Sequence, residues 1–185
     1  YPWSDKYGWI QDKYGISWQL MMGNADTMGG KIIPAFMFTG SQAGKAEQAM
    51  TFYTSIFSDS KIKDINRYEP GEHDVAGTVK HGRFNLSNQS FVAMDSSAPH
   101  GFQFNEAISF VVDCETQQEI DYYWHKLTEG GQENQCGWLK DKFGVSWQIV
   151  PTILGKLMSD STKSQRVMAA FMQMKKFDIE KLVKA

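Results

Sequence analysis

Four histidines, two cysteines and a scatter of carboxylates are the side chains of this 185-residue sequence that could do chemistry. His73, His81, His100 and His125 fall in no HxH or HxxxH spacing, so no one strand or helix gathers them around a metal. Each reads as a surface or packing residue. Cys114 and Cys136 form neither a CxxC motif nor a dense disulfide framework, and read as reduced thiols of a cytoplasmic protein. Asp141 and Lys142, adjacent in "GWLKDKFGVSWQ", could act as acid and base. The same pair recurs as Asp12 and Lys13, which points instead to exposed turn residues of a hairpin. Gly40 and Gly44 in "FTGSQAGKAEQ" come nearest to a nucleotide-cradling loop. GxGxxG, GxxxxGK[ST] and GxSxG are all missing, so the segment reads as a plain strand-to-helix connection.

The recurrence is wider than one pair. "YGWIQDKYGISWQLM" (7–21) and "CGWLKDKFGVSWQIV" (136–150) match at Gly, Trp, Asp, Lys, Gly, Ser, Trp and Gln. A match this dense marks a duplicated unit, and the offset is about the length of a small domain. Residues 1–23 therefore read as the terminal hairpin of a preceding related domain whose remainder lies outside this sequence. Residues 24–30 would be a linker, 31–155 a complete domain, and 156–185 a helical tail. The alternative is one hairpin motif used twice within a single domain.

Within 31–155 the elements run in a repeating order. "KIIPAFMF" is rich in β-branched and aromatic residues and predicts a strand. "KAEQAMTFYTSIF" places Ala46, Ala49, Met50, Tyr53 and Phe57 on one helical face. "KIKDINRY" predicts an edge strand, and "TVKHGRFNLSN" with "QSFVAMDS" two strands joined tightly. The order then restarts: strand "AISFVVDC", a helix opened by a Thr116/Glu119 capping box with Ile120, Tyr123 and Leu127 on one face, a stop at "EGG", a weak middle strand, and strands "CGWLK" and "SWQIVP" around "KFG". The tail is helical, with Val167, Phe171 and Met174 on one face and Ile179 and Leu182 on another, and reads as a packing or dimer element.

"AMTFYTSIF", "GTVKHGRFNL", "NQSFVAMDS" and "DKFGVSWQIVP" together resemble the PhnB-like family of the glyoxalase/bleomycin-resistance/dioxygenase (vicinal oxygen chelate) superfamily. Some of its members carry the label 3-demethylubiquinone-9 3-methyltransferase. The resemblance covers about residues 31–155. It implies an α+β fold: paired βαβββ modules forming a curved mixed sheet around a cavity, here followed by C-terminal helices. It also implies divalent-metal ligands on the first and last strands of the modules. At those places this chain has Pro34, one of Ala107, Ile108 or Ser109, and Gln148. Proline has no donor atom and a lone neutral amide holds a divalent cation poorly. No metal and no cofactor are therefore expected, with Glu106 the acid best placed to complete a site.

The expected cavity wall combines Phe36 and Phe38, which share a strand face with Pro34, with Trp138 and with the polar groups of Asp95, Ser109 and Gln148. Aromatic walls with a few polar groups suit a small-molecule pocket. The expectation is a small-molecule-binding protein, with enzymatic activity left open. The alternatives are a metal-dependent glyoxalase- or dioxygenase-type enzyme, a 3-demethylubiquinone-9 3-methyltransferase, and a non-catalytic sequestering or dimerisation module. A homodimer is implied by relatives that pair modules across subunits. A net charge of -2 gives no reason to expect nucleic acid or an anionic membrane as partner, and no apolar run approaches the roughly 18 residues of a membrane span.

Overall fold

The computed structural model describes residues 6–23 and 29–185. It opens with an antiparallel hairpin, β1 (Tyr7–Gln11) and β2 (Ser17–Met21). A first βαβββ module follows: β3 (Ala35–Phe38), α1 (Ala46–Ile56), β4 (Lys61–Arg67), β5 (Val79–Leu86) and β6 (Gln89–Asp95). The second comprises β7 (Ser109–Cys114), α2 (Gln117–Thr128), β8 (Gln132–Glu133), β9 (Trp138–Lys140) and β10 (Ser146–Pro151). Helices α3 (Ile153–Ser159), α4 (Ser164–Phe171) and α5 (Ile179–Lys184) close the chain. Most of the proposed linker, residues 24–28, lies outside the described residues.

Each module builds one four-stranded mixed sheet, ordered β3-β6-β5-β4 and β7-β10-β9-β8. Both use the same device: the first strand of the module runs parallel to the last, and the other pairs are antiparallel. β4 is an edge strand, as its polar alternation predicts. β8 has two residues, the weak middle strand of the second module. The expected α+β fold of paired βαβββ modules is present.

Strand alternation sends one face of each sheet to a helix. On the first sheet Phe36, Phe38, Phe84, Phe91 and Ala93 pack beneath α1, whose Ala46, Ala49, Met50 and Tyr53 are fully buried. On the second, Leu139, Trp147 and Ile149 pack against α2 through Ile120, Trp124 and Leu127. Trp124, not Tyr123, completes the buried stripe of α2; Tyr123 instead stacks on Phe57 with ring centroids 5.1 Å apart. The helix starts where expected: the Thr116 hydroxyl accepts from Glu119 N, and the Glu119 carboxylate accepts from Thr116 N.

The two helix-facing sides share one core. Phe36 meets Phe110 at 5.1 Å between centroids, Tyr53 meets Trp147 at 5.4 Å, and Tyr122 Oη donates to the Ile56 carbonyl. The tail packs on the second module. Gln117 donates to the Phe177 carbonyl and accepts from Ile179 N, Cys136 N and Gly137 N donate to the carbonyls of Met174 and Lys175, and Phe177 and Leu182 are buried.

Candidate functional site

With the inner sides of both sheets joined in the core, the other sides are left open. Register defines the open face of the second sheet. Ser109 pairs with Ser146, Val111 with Gln148, Gln148 with Trp138 and Ser146 with Lys140, so these side chains share one surface. Three residues expected to line a pocket, Ser109, Trp138 and Gln148, therefore come together here. The Gln148 amide donates to Ser109 Oγ at 2.8 Å. This fixes the amide orientation and leaves its carbonyl oxygen free to accept.

A depression of about 200 Å³ opens beside them, lined by Glu106, Gln132, Asn134, Trp138, Lys140 and Ser146 among others. Ser146 forms part of its floor. It is 2% exposed, yet its hydroxyl has no hydrogen-bond partner. A buried hydroxyl without a partner costs about 1–3 kcal/mol, which makes it a marked feature of the site. Lys140 holds Glu106 in an ion pair of 2.5 Å, and the lysine keeps the Glu106 carboxyl below its usual range. The acid singled out as a rescue ligand is thus already engaged.

Phe36, Phe38 and Asp95 sit elsewhere. Phe36 and Phe38 are 3% and 0% exposed, beneath α1 and against Phe104. The alternation that puts Phe36 and Phe38 on one strand face is real, but it turns both toward the helix, away from Gln148 on the open face of the other sheet. Asp95 is also buried. Its two oxygens accept from Ala46 N, at the start of α1, and from Val79 N, so it ties the helix to the sheet. Burial raises its pKa, against the pull of those hydrogen bonds.

The open face of the first sheet carries Ala35, Met37, Val92, Met94, Arg83, Asp64 and His81. Arg83 and Asp64 form an ion pair. Gln19, the counterpart of Gln148 in the first hairpin, places its amide 3.8 Å from Met94 Sδ on this face. Among the described residues no group of three or more His, Cys, Asp or Glu could hold a metal ion. The donor set at the expected ligand positions, a proline and an amide already bonded to Ser109, does not fit a divalent cation.

Asp141 is the largest departure from the sequence reading. It is 3% exposed and not at the surface of a turn. Its Oδ1 accepts from Phe143 N and Val145 N, and its Oδ2 from Tyr53 Oη at 2.7 Å and Trp147 Nε1 at 2.9 Å. Burial raises the pKa of both Asp141 and Tyr53. The signal was present in the sequence: aspartate stands six residues before tryptophan in both copies. Ser146 was likewise legible only as a repeat of Ser17.

The sequence profile of the 3-demethylubiquinone-9 3-methyltransferase family matches residues 30–150. Among solved structures, the PhnB protein of Bacillus cereus, described provisionally as a 3-demethylubiquinone-9 3-methyltransferase, shares 42% identity and a TM-score of 0.61, covering 66% of this chain and 99% of its own. A Pseudomonas aeruginosa protein at 18% identity and TM-score 0.55, covering 65% of this chain and 96% of its own, shares the fold. No match was found among curated proteins. On the family profile and the Bacillus cereus relative together, the chain belongs to the 3-demethylubiquinone-9 3-methyltransferase family of PhnB-like proteins.

Proposed function

We propose that this protein binds a small aromatic or amphipathic molecule on the open face of the second sheet, without a metal ion. Trp138 supplies the apolar wall. Gln148, oriented by Ser109, accepts from the ligand through its carbonyl oxygen, and Ser146 meets a polar group at the floor. The observation that carries this reading is the Ser146 hydroxyl, buried and unpartnered beside Trp138. A ligand supplies the missing hydrogen bond, and its ring covers the indole.

The opposite wall of the site comes from a second copy of the chain. Val111 stands 55% exposed on the same surface, in register with Gln148, and leaves apolar area there for a second copy to cover. The contact of Gln19 with Met94 supports the same arrangement, since it sets a hairpin of the β9–β10 type against the open face of a first sheet. The protein is cytoplasmic in this reading, which suits two free cysteines. No helix among the described residues is long and apolar enough to cross a membrane.

The test is a thermal-shift screen of small aromatic carboxylates, phenols and quinones, followed by calorimetry on any compound that raises the Tm. Trp138→Ala and Gln148→Ala are expected to weaken binding by about tenfold or more while the free protein stays folded. Ser146→Ala gives a sharper signature. It removes an unsatisfied group, so the free protein gains about 1 kcal/mol, while ligand affinity falls. Ligand binding unchanged in all three variants would defeat the proposal.

A further inference from the structure

The two hairpins share one internal lock. In the first, Asp12 Oδ1 accepts from Tyr14 N and Ile16 N, and Oδ2 accepts from Trp18 Nε1 at 3.0 Å. In the second, Asp141 makes the same three bonds with Phe143, Val145 and Trp147. They differ in one donor. Asp141 Oδ2 also accepts from Tyr53 Oη of α1, whereas Asp12 Oδ2 takes no second donor among the described residues.

The apolar faces differ in the same way. Leu139, Trp147 and Ile149 are 2%, 2% and 0% exposed, and their counterparts Ile10, Trp18 and Leu20 are 52%, 38% and 51% exposed. One copy thus shows what covers this face: Tyr53 and Phe57 lie on Trp147 at 5.4 and 5.6 Å between ring centroids, and the tyrosine hydroxyl completes the carboxylate. The other copy presents the same apolar surface, with the same carboxylate one donor short.

We propose that the Ile10–Trp18–Leu20 face is the seat of an amphipathic helix of the α1 pattern, carried by chain N-terminal to Tyr1 in a longer natural protein, whose tyrosine donates to Asp12 Oδ2. The hydrogen-bond complementarity is specific. A carboxylate with an open acceptor position beside an indole selects an aromatic hydroxyl, which satisfies the oxygen and covers the ring at once. In a second copy the tyrosine of the α1 pattern, Tyr53, is fully buried and committed to Asp141, Tyr122 Oη donates to the Ile56 carbonyl, and the exposed Tyr14 stands in a turn and not on a helix. Tyr53 precedes Asp141 by 88 residues, so the inferred tyrosine precedes Asp12 by the same interval. The inference rests on the duplicated hairpin and is independent of the ligand proposal.

The experiment uses the natural chain with its N-terminal residues. Its sequence is expected to show a tyrosine at that interval on an Ala-x-x-Ala-x-x-x-Tyr helical face. In that protein, Asp12→Ala and Tyr→Phe at the new position each lower the Tm by about 3 °C, with the double variant little worse than either single one. In the 185-residue chain Asp12→Ala shifts the Tm by less. Hydrogen exchange of the Trp18 indole, slow in the longer protein and fast in the shorter one, reads the contact without relying on folding. The inference is overturned if the natural chain has no tyrosine near that interval, or if Asp12→Ala and Trp18 indole exchange are the same in both proteins. It is equally overturned if the 185-residue chain self-associates with the Trp18 indole protected, which would make a second copy the occupant.

Discussion

At the scale of single residues, the most consequential side chain is a carboxylate that does no evident chemistry. Asp141 gathers two backbone amides, a phenol and an indole into one buried node, joining α1 of the first module to the closing hairpin of the second. Asp141→Ala strands the Tyr53 hydroxyl and the Trp147 indole in the core, and is expected to cost about 3 kcal/mol in urea unfolding. Asp12→Ala, at a more exposed position with one side-chain donor, is expected to cost clearly less by the same measurement. Equal costs would show that Asp141 is not the junction its geometry implies. His81 offers a second test. It lies half-buried on the open face of the first sheet beside the Asp64–Arg83 ion pair, and burial pulls its pKa below 6.5. The unfolded chain therefore binds the proton first as pH falls, and stability drops as pH goes down through 6.5. His81→Gln is expected to remove that part of the slope between neutral and mildly acid pH, and an unchanged slope would refute the assignment.

At the scale of elements, the two copies of one hairpin show how context changes the meaning of a residue. Gly137 and Gly8 occupy the same place in the repeat. Gly137 has a φ of +80°, and an added Cβ would lie 2.5 Å from the Phe177 ring and 2.7 Å from the Ile149 carbonyl oxygen. A Cβ on Gly8 would meet nothing within 4 Å. Gly137→Ala should therefore cost about 2–4 kcal/mol through backbone strain and displacement of the tail, and Gly8→Ala close to nothing. Thermal melts of the two variants check this directly. The tail is the cause of the asymmetry: it docks on the β8–β9 connection through Met174, Lys175 and Phe177. The helical periodicity of residues 156–185 predicts a packing or dimer element, and in this chain the tail docks on the second module.

At the scale of the whole molecule, both modules turn their helix-facing sides inward and leave their other faces open. A single copy thus presents two half-sites. The second sheet offers Ser109, Trp138, Ser146 and Gln148, and the first offers Met37 and the Arg83–Asp64 pair, beside Met94, which is already buried against Gln19 of the first hairpin. Pairing the first sheet of one copy with the second sheet of another would complete both. Sedimentation velocity is expected to show a dimer, and Val111→Glu, which sets a charge on the exposed apolar part of the open face, is expected to shift it to monomer and weaken ligand binding together. A monomeric wild-type protein with full ligand affinity would rule out the paired arrangement.

Much of this architecture is legible in the sequence. The strand-helix-strand order, the Thr116 capping box, the edge character of β4 and the duplicated hairpin are local patterns, set by period, turn chemistry and composition. The placement of Trp147 and Gln148 on opposite sides of β10 follows from alternation alone. Alternation does not say which side a partner element will cover. Phe36 and Phe38 could face a cavity or a helix with the same sequence, and only the packing of α1 turned them into core. Asp141 could be a solvated turn residue, as the more exposed Asp12 is, until Tyr53 arrived from 88 positions away. Local periodicity settles which residues share a face. Long-range packing decides which face meets water, which meets a helix and which is left for a ligand.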